Sequence, residues 1–76
     1  MLKREGVRSG VPDLFLAFPC RGYHGLFIEL KRRDSGKVSP TQADWITRLN
    51  KSGYLVIVAF GAKEAVKVIV DYLETT

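Results

Sequence analysis

The chain has 76 residues, with twelve Lys and Arg against eight Asp and Glu, a net charge of +4. At 46% hydrophobic and 26% charged it has an ordinary globular composition, which excludes a low-complexity or disordered chain and leaves one small domain, burying only about 60% of its unfolded-chain surface. No apolar run approaches the roughly 18 residues of a membrane span and no signal-peptide pattern is present, so the expectation is a cytoplasmic protein without a membrane role. One cysteine, Cys20, and one histidine, His24, exclude an internal disulfide and fall short of a zinc site.

Residues 1–10 are basic and lack clear periodicity. Gly6 and Gly10 bracket Val7-Arg8-Ser9, readable as a short strand or an extended arm. Asp13 to Phe18 is the first clear strand: Leu14 and Leu16 point to one face, Asp13, Phe15 and Ala17 to the other, so both faces are covered. Pro19 to Gly25 forms the connection, with Arg21 and Tyr23 at its tip and Cys20 and His24 as loop residues without chemistry. Leu26 to Lys31 is the second strand.

After the polar loop Arg32 to Val38, Ser39-Pro40-Thr41-Gln42 is a strong helix start. Ser39 is the N-cap, Pro40 the first helical residue, and Gln42 sits at the capping-box position. Ala43, Ile46 and Leu49, with Trp45, give an apolar stripe reaching about Asn50. Tyr54 to Phe60 reads as a buried central strand, and the strand–helix–strand unit implies a right-handed parallel crossover. A second helix follows over Ala62 to Leu73, with Ala62, Ala65, Val66, Ile69, Val70 and Leu73 on its stripe and Val68 and Tyr72 off it.

The chemistry gathers at one corner. Strand alternation puts Glu29 and Lys31 on one face, and antiparallel pairing sets Asp13, at the start of the first strand, beside them. Two carboxylates and an amine suit phosphodiester hydrolysis. Hard oxygen ligands hold Mg²⁺ or Mn²⁺, the metal activates a water, and the amine meets negative charge developing in the transition state. The basic residues fall near the same corner: Arg8 before the first strand, Arg32, Arg33 and Lys37 after the second, where a phosphate backbone would lie. A blander reading stands beside this one. Glu29 and Lys31 could be a solvated surface pair, and the cations a solubilising surface. Against it, the two charges interrupt an otherwise apolar strand.

Pro12-Asp13 followed by Glu29-Leu30-Lys31 resembles the PD-(D/E)xK nuclease signature. Gly10-Val11-Pro12-Asp13-Leu14 and Ser39-Pro40-x-Gln42 look more narrowly like the VRR-NUC family, over about Val7 to Tyr72. The resemblance implies an α/β, restriction-endonuclease-like core: an antiparallel hairpin plus a parallel crossover strand, flanked by helices. It implies a metal-dependent DNA endonuclease of the kind phages and mobile elements encode, in a family with members that prefer branched DNA. Asp13 and Glu29 would bind Mg²⁺ or Mn²⁺ with the Leu30 carbonyl, and Lys31 would orient water or stabilise the transition state. Gln42 would face the site, close the capping box, or both. One feature departs from the superfamily pattern, a helix bearing a further acidic ligand ahead of the first core strand. Glu5 is the only acidic residue upstream of Asp13 and lies beside Gly6. Val68 and Tyr72, off the helix stripe, suggest a homodimer. Two other readings remain: a catalytically silent DNA-binding module on the same fold, and a structural or interaction domain.

Overall fold

The computed structural model describes residues 2–4, 10–34 and 36–74. Four strands, β1 (Leu2–Arg4), β2 (Leu14–Leu16), β3 (Leu26–Lys31) and β4 (Leu55–Phe60), form one sheet in that order. Two helices, α1 (Pro40–Lys51) and α2 (Ala62–Glu74), flank it. β1–β2 and β2–β3 pair antiparallel and β3–β4 parallel, so α1 is the crossover.

Register decides what each face carries. Leu14 pairs with Ile28 and Leu16 with Leu26, while Ile28 pairs with Ile57 and Leu30 with Ala59. That face, under α2, holds the core: Leu16, Cys20, Leu26, Ile28, Ala59, Ala65 and Tyr72. The opposite face carries Phe15 stacked on Phe27 at 4.4 Å, then Glu29 and Lys31, and is covered by α1. A sheet sandwiched between helices explains why β3 and β4 are apolar on both faces.

Several expectations need correcting. β1 pairs with β2 although its sequence shows no strand pattern. Val7-Arg8-Ser9, Arg8 as a DNA contact, and Glu5 lie outside the described residues. β2 is shorter than the Asp13–Phe18 run. β4 begins at Leu55 and lies at the sheet edge, not its centre; its apolar pattern reports two covering helices rather than two neighbouring strands. Cys20 is no idle loop residue: it is buried, and its thiol donates to the Tyr72 carbonyl at 3.2 Å. Tyr23 is half-buried rather than exposed, and in α1 Ala43 is exposed while Trp45, Ile46 and Leu49 are half-buried.

The inward stripe of α2 is also rotated. Ala65, Val68, Ile69 and Tyr72 face the core, while Val66, Val70 and Leu73 are exposed. Both stripes have helical spacing and share Ala65 and Ile69. Tyr72 decides between them, because its large ring is 1% exposed and its hydroxyl donates to the Phe18 carbonyl at 2.7 Å.

Candidate active site

Local chain geometry delivers each side chain to the corner. Gly10 has φ +87°, and an added Cβ there would lie 2.5 Å from Thr41 Cγ2 and 2.9 Å from Trp45 Cδ1. The chain thus passes tightly under the start of α1 before the buried Pro12 fixes its entry into β2. One step beyond the Leu14–Ile28 pair, the same register sets Asp13 opposite Glu29. There the ladder ends, and the Leu30 N–H donates to Asp13 Oδ2 at 2.9 Å.

Glu29 is the buried charge, 3% exposed. Its Oε2 accepts from Gln42 Nε2 at 2.7 Å and lies 3.2 Å from Lys31 Nζ. Its Oε1 is buried and has no hydrogen-bond partner. Burial pushes the Glu29 carboxyl above its ordinary value; the Lys31 ammonium pulls the other way, and the neighbouring Asp13 carboxylate adds to the rise.

Gln42 joins helix and sheet. Its Oε1 accepts from Lys31 Nζ at 2.6 Å and from the Ser39 N–H at 2.9 Å, while Ser39 Oγ accepts from the Gln42 N–H at 3.1 Å. The complete capping box therefore orients the amide that touches both Glu29 and Lys31. One conformation of Gln42 thus closes the capping box and turns its amide toward Glu29 and Lys31.

Asp13, Glu29, Lys31 and Gln42 are thus brought together. Leu30 joins through its backbone N–H, and its side chain is 37% exposed on the other face. Arg32, Arg33 and Lys37 are exposed in the loop leaving β3. Among the described residues no three His, Cys, Asp or Glu side chains cluster to hold a metal ion. What the corner does offer is two carboxylates and one orphaned buried oxygen, a hard-oxygen donor set. Mg²⁺ usually takes one or two carboxylates and keeps several waters, so these residues fit it. Ser39 is the residue sequence reasoning left out of the site; its signal was the capping box, read there as helix chemistry only.

Residues 1–63 match the VRR-NUC domain family. A solved structure described as a VRR_NUC domain protein superposes with a TM-score of 0.89 at 32% identity, covering 96% of this chain and 67% of its own. No curated protein sequence matches this chain. No helix among the described residues is long and apolar enough to cross a membrane. With its corner built from Pro12-Asp13, Glu29-Leu30-Lys31 and Gln42, the chain belongs to the VRR-NUC family of nuclease domains.

Proposed function

We propose that this domain is a DNA endonuclease dependent on Mg²⁺ or Mn²⁺, with Asp13, Glu29, Lys31 and Gln42 as its working residues. The observation that carries the reading is Glu29 Oε1, a buried carboxylate oxygen without a partner. Leaving such a group unmet costs about 1–3 kcal/mol, more when it is charged, and a bound cation would relieve it. Asp13, Glu29 and the Leu30 carbonyl would hold the ion, which when bound polarises the phosphoryl oxygen and acidifies a water. Lys31, its ammonium held by Gln42 and Glu29, places a point charge where the phosphate becomes more negative. Gln42 fixes the separation and orientation of Glu29 and Lys31. Arg32, Arg33 and Lys37 would contact backbone phosphates.

The test is incubation of the purified protein with plasmid DNA in chelator, Mg²⁺, Mn²⁺ or Ca²⁺, beside Glu29→Gln. Cutting that needs Mg²⁺ or Mn²⁺ and vanishes in the variant is the expected result, with little cutting in Ca²⁺. DNA binding without cutting under any metal would make the domain a silent binding module instead. Branched substrates belong to the same reading; equal rates on linear and four-way-junction DNA would remove that preference. So does a homodimer, moved from Val68 and Tyr72, which pack on the core, to the exposed Val66, Val70 and Leu73. Light scattering giving a monomer mass at micromolar concentration, with and without DNA, would overturn it.

A further inference from the structure

Beside the corner, beyond the ends of β3 and β4, lies a cleft of about 580 Å³ lined by Arg33, Phe60, Gly61, Lys63, Glu64 and Lys67. That volume falls within the roughly 300–1,000 Å³ of ligand sites and has room for a nucleotide. Its charge is one-sided: three cations against one carboxylate, Glu64. Among the described residues none of the three has a carboxylate at ion-pair distance.

Arg33 packs against the turn that opens α2. Gly61 turns at φ +99°, and a Cβ there would lie 3.2 Å from Arg33 Cγ and 3.4 Å from its Cδ. The arginine stem therefore lies over the bare glycine, and Arg33 lines the cleft. The Gly61 N–H donates to the Lys31 carbonyl at 3.0 Å, and Phe60 pairs in register with Lys31. The cleft thus adjoins the end of β3 that carries Lys31. Phe60 is 39% exposed, an aromatic wall among cations.

The geometry points to this cleft as the seat of an unpaired nucleotide of the DNA substrate, next to the phosphate that is cut. Arg33, Lys63 and Lys67 take its backbone phosphates, and its base lies against Phe60. Duplex DNA would satisfy the cations but offers no free base face to the ring, so Phe60 separates single-stranded from fully paired DNA. The inference rests on the nuclease reading and adds to it the feature of the substrate that is recognised.

Fluorescence anisotropy tests it without cleavage, in divalent-free buffer, with one oligonucleotide as a single strand and as a blunt duplex. Lys63→Glu/Lys67→Glu should weaken binding of both forms at least about tenfold. It should also flatten the salt dependence on the single strand by roughly 0.7 for each phosphate no longer neutralised. Phe60→Ala should weaken single-strand binding about five- to a hundredfold and leave the duplex nearly unchanged. Arg48→Glu/Lys51→Glu, an equal charge change at the far end of α1, controls for net charge, and circular dichroism checks folding. A matching loss in that control, or unchanged binding in Lys63→Glu/Lys67→Glu, overturns the cleft while leaving the nuclease reading intact. Equal losses on both DNA forms in Phe60→Ala overturn the unpaired base. A wild-type chain that binds neither DNA removes the DNA substrate, and the cleft's role with it.

Discussion

Replacing Glu29 by Gln should make the metal-free protein more stable, because the native carboxylate is badly matched to its surroundings until something cationic reaches Oε1. The isostere keeps the acceptor that Gln42 Nε2 donates to at 2.7 Å. It removes the buried, partnerless anionic oxygen, a defect worth about 1–3 kcal/mol. Its new amide N–H group can donate to Asp13, whose carboxylate otherwise repels Glu29. The loss is the charge on the bond to Lys31, 3.2 Å away; charged hydrogen bonds exceed neutral ones by about 1 kcal/mol. The net is a gain on the order of 1 kcal/mol, which for a domain of this size raises the melting temperature by roughly 4–8 °C. Thermal unfolding by circular dichroism in chelator at pH 7 reads it directly. Adding Mn²⁺ should reverse the order: the wild type gains stability by ligand binding, about 2.7 kcal/mol at a hundredfold excess over Kd, and the variant gains little. If Glu29→Gln melts several degrees below wild type in chelator, the Lys31 pair outweighs burial, and the orphaned oxygen is no argument for a cation.

The pH dependence follows with a definite sign. Glu29's carboxyl is raised from the ordinary 4.5, by burial first, so between those two values the folded chain binds more protons than the unfolded one. Stability from this group is then fully present below about 4.5 and is lost as pH rises through the folded value. Acidifying the chelated wild type should therefore close its gap to Glu29→Gln, measured as the difference in melting temperature between pH 7 and pH 4.5. A gap that widens on acidification would mean the carboxyl is depressed instead.

Lys31→Ala should slow single-turnover cleavage about 10²–10³-fold, the scale seen when one donor to developing charge is removed, with DNA affinity nearly intact; Lys31→Arg should not restore the rate, a planar fork being a poor replacement for a compact ammonium. Equal proportional losses of binding and cleavage would make Lys31 a phosphate anchor. Asp13→Asn should abolish the Mn²⁺ binding seen by calorimetry in the wild type, and unchanged binding removes Asp13 from the site. Ser39→Ala deletes the acceptor of the Gln42 N–H and should cost about 1 kcal/mol of stability, read from urea unfolding, with a cleavage loss smaller than that of Gln42→Ala.

The sequence exposed the corner because strand alternation and hairpin pairing depend on local pattern alone. Asp13, Glu29 and Lys31 needed no long-range information beyond which strands pair. What it hid was set by tertiary context. β1 has no alternating signature because a short edge strand needs only backbone pairing with Phe15 and its neighbours. α2 presented two stripes of equal periodicity, and only the Phe18 carbonyl awaiting a donor selects the one containing Tyr72. Cys20 reads as an idle loop residue because its burial comes from α2, far along the chain.

Gln42 shows why fold and site cannot be tuned separately here. A capping box asks only that the side chain at this position return an oxygen to the N-cap N–H, which glutamate does as well as glutamine. The site asks for more: an oxygen toward Lys31 and, from the same group, a donor toward Glu29. Only an amide supplies both, since a carboxylate would set a second negative charge against an already buried one. The helix start therefore fixes the rotamer, and the chemistry fixes the residue type. Because Ser39 holds the amide oxygen while Glu29 holds its nitrogen, flipping the group would break hydrogen bonds at both ends. The spacing of Glu29 and Lys31 across β3 is thus tied to the first turn of α1, so disturbing that turn alters the charge geometry of the corner before it unfolds the sheet.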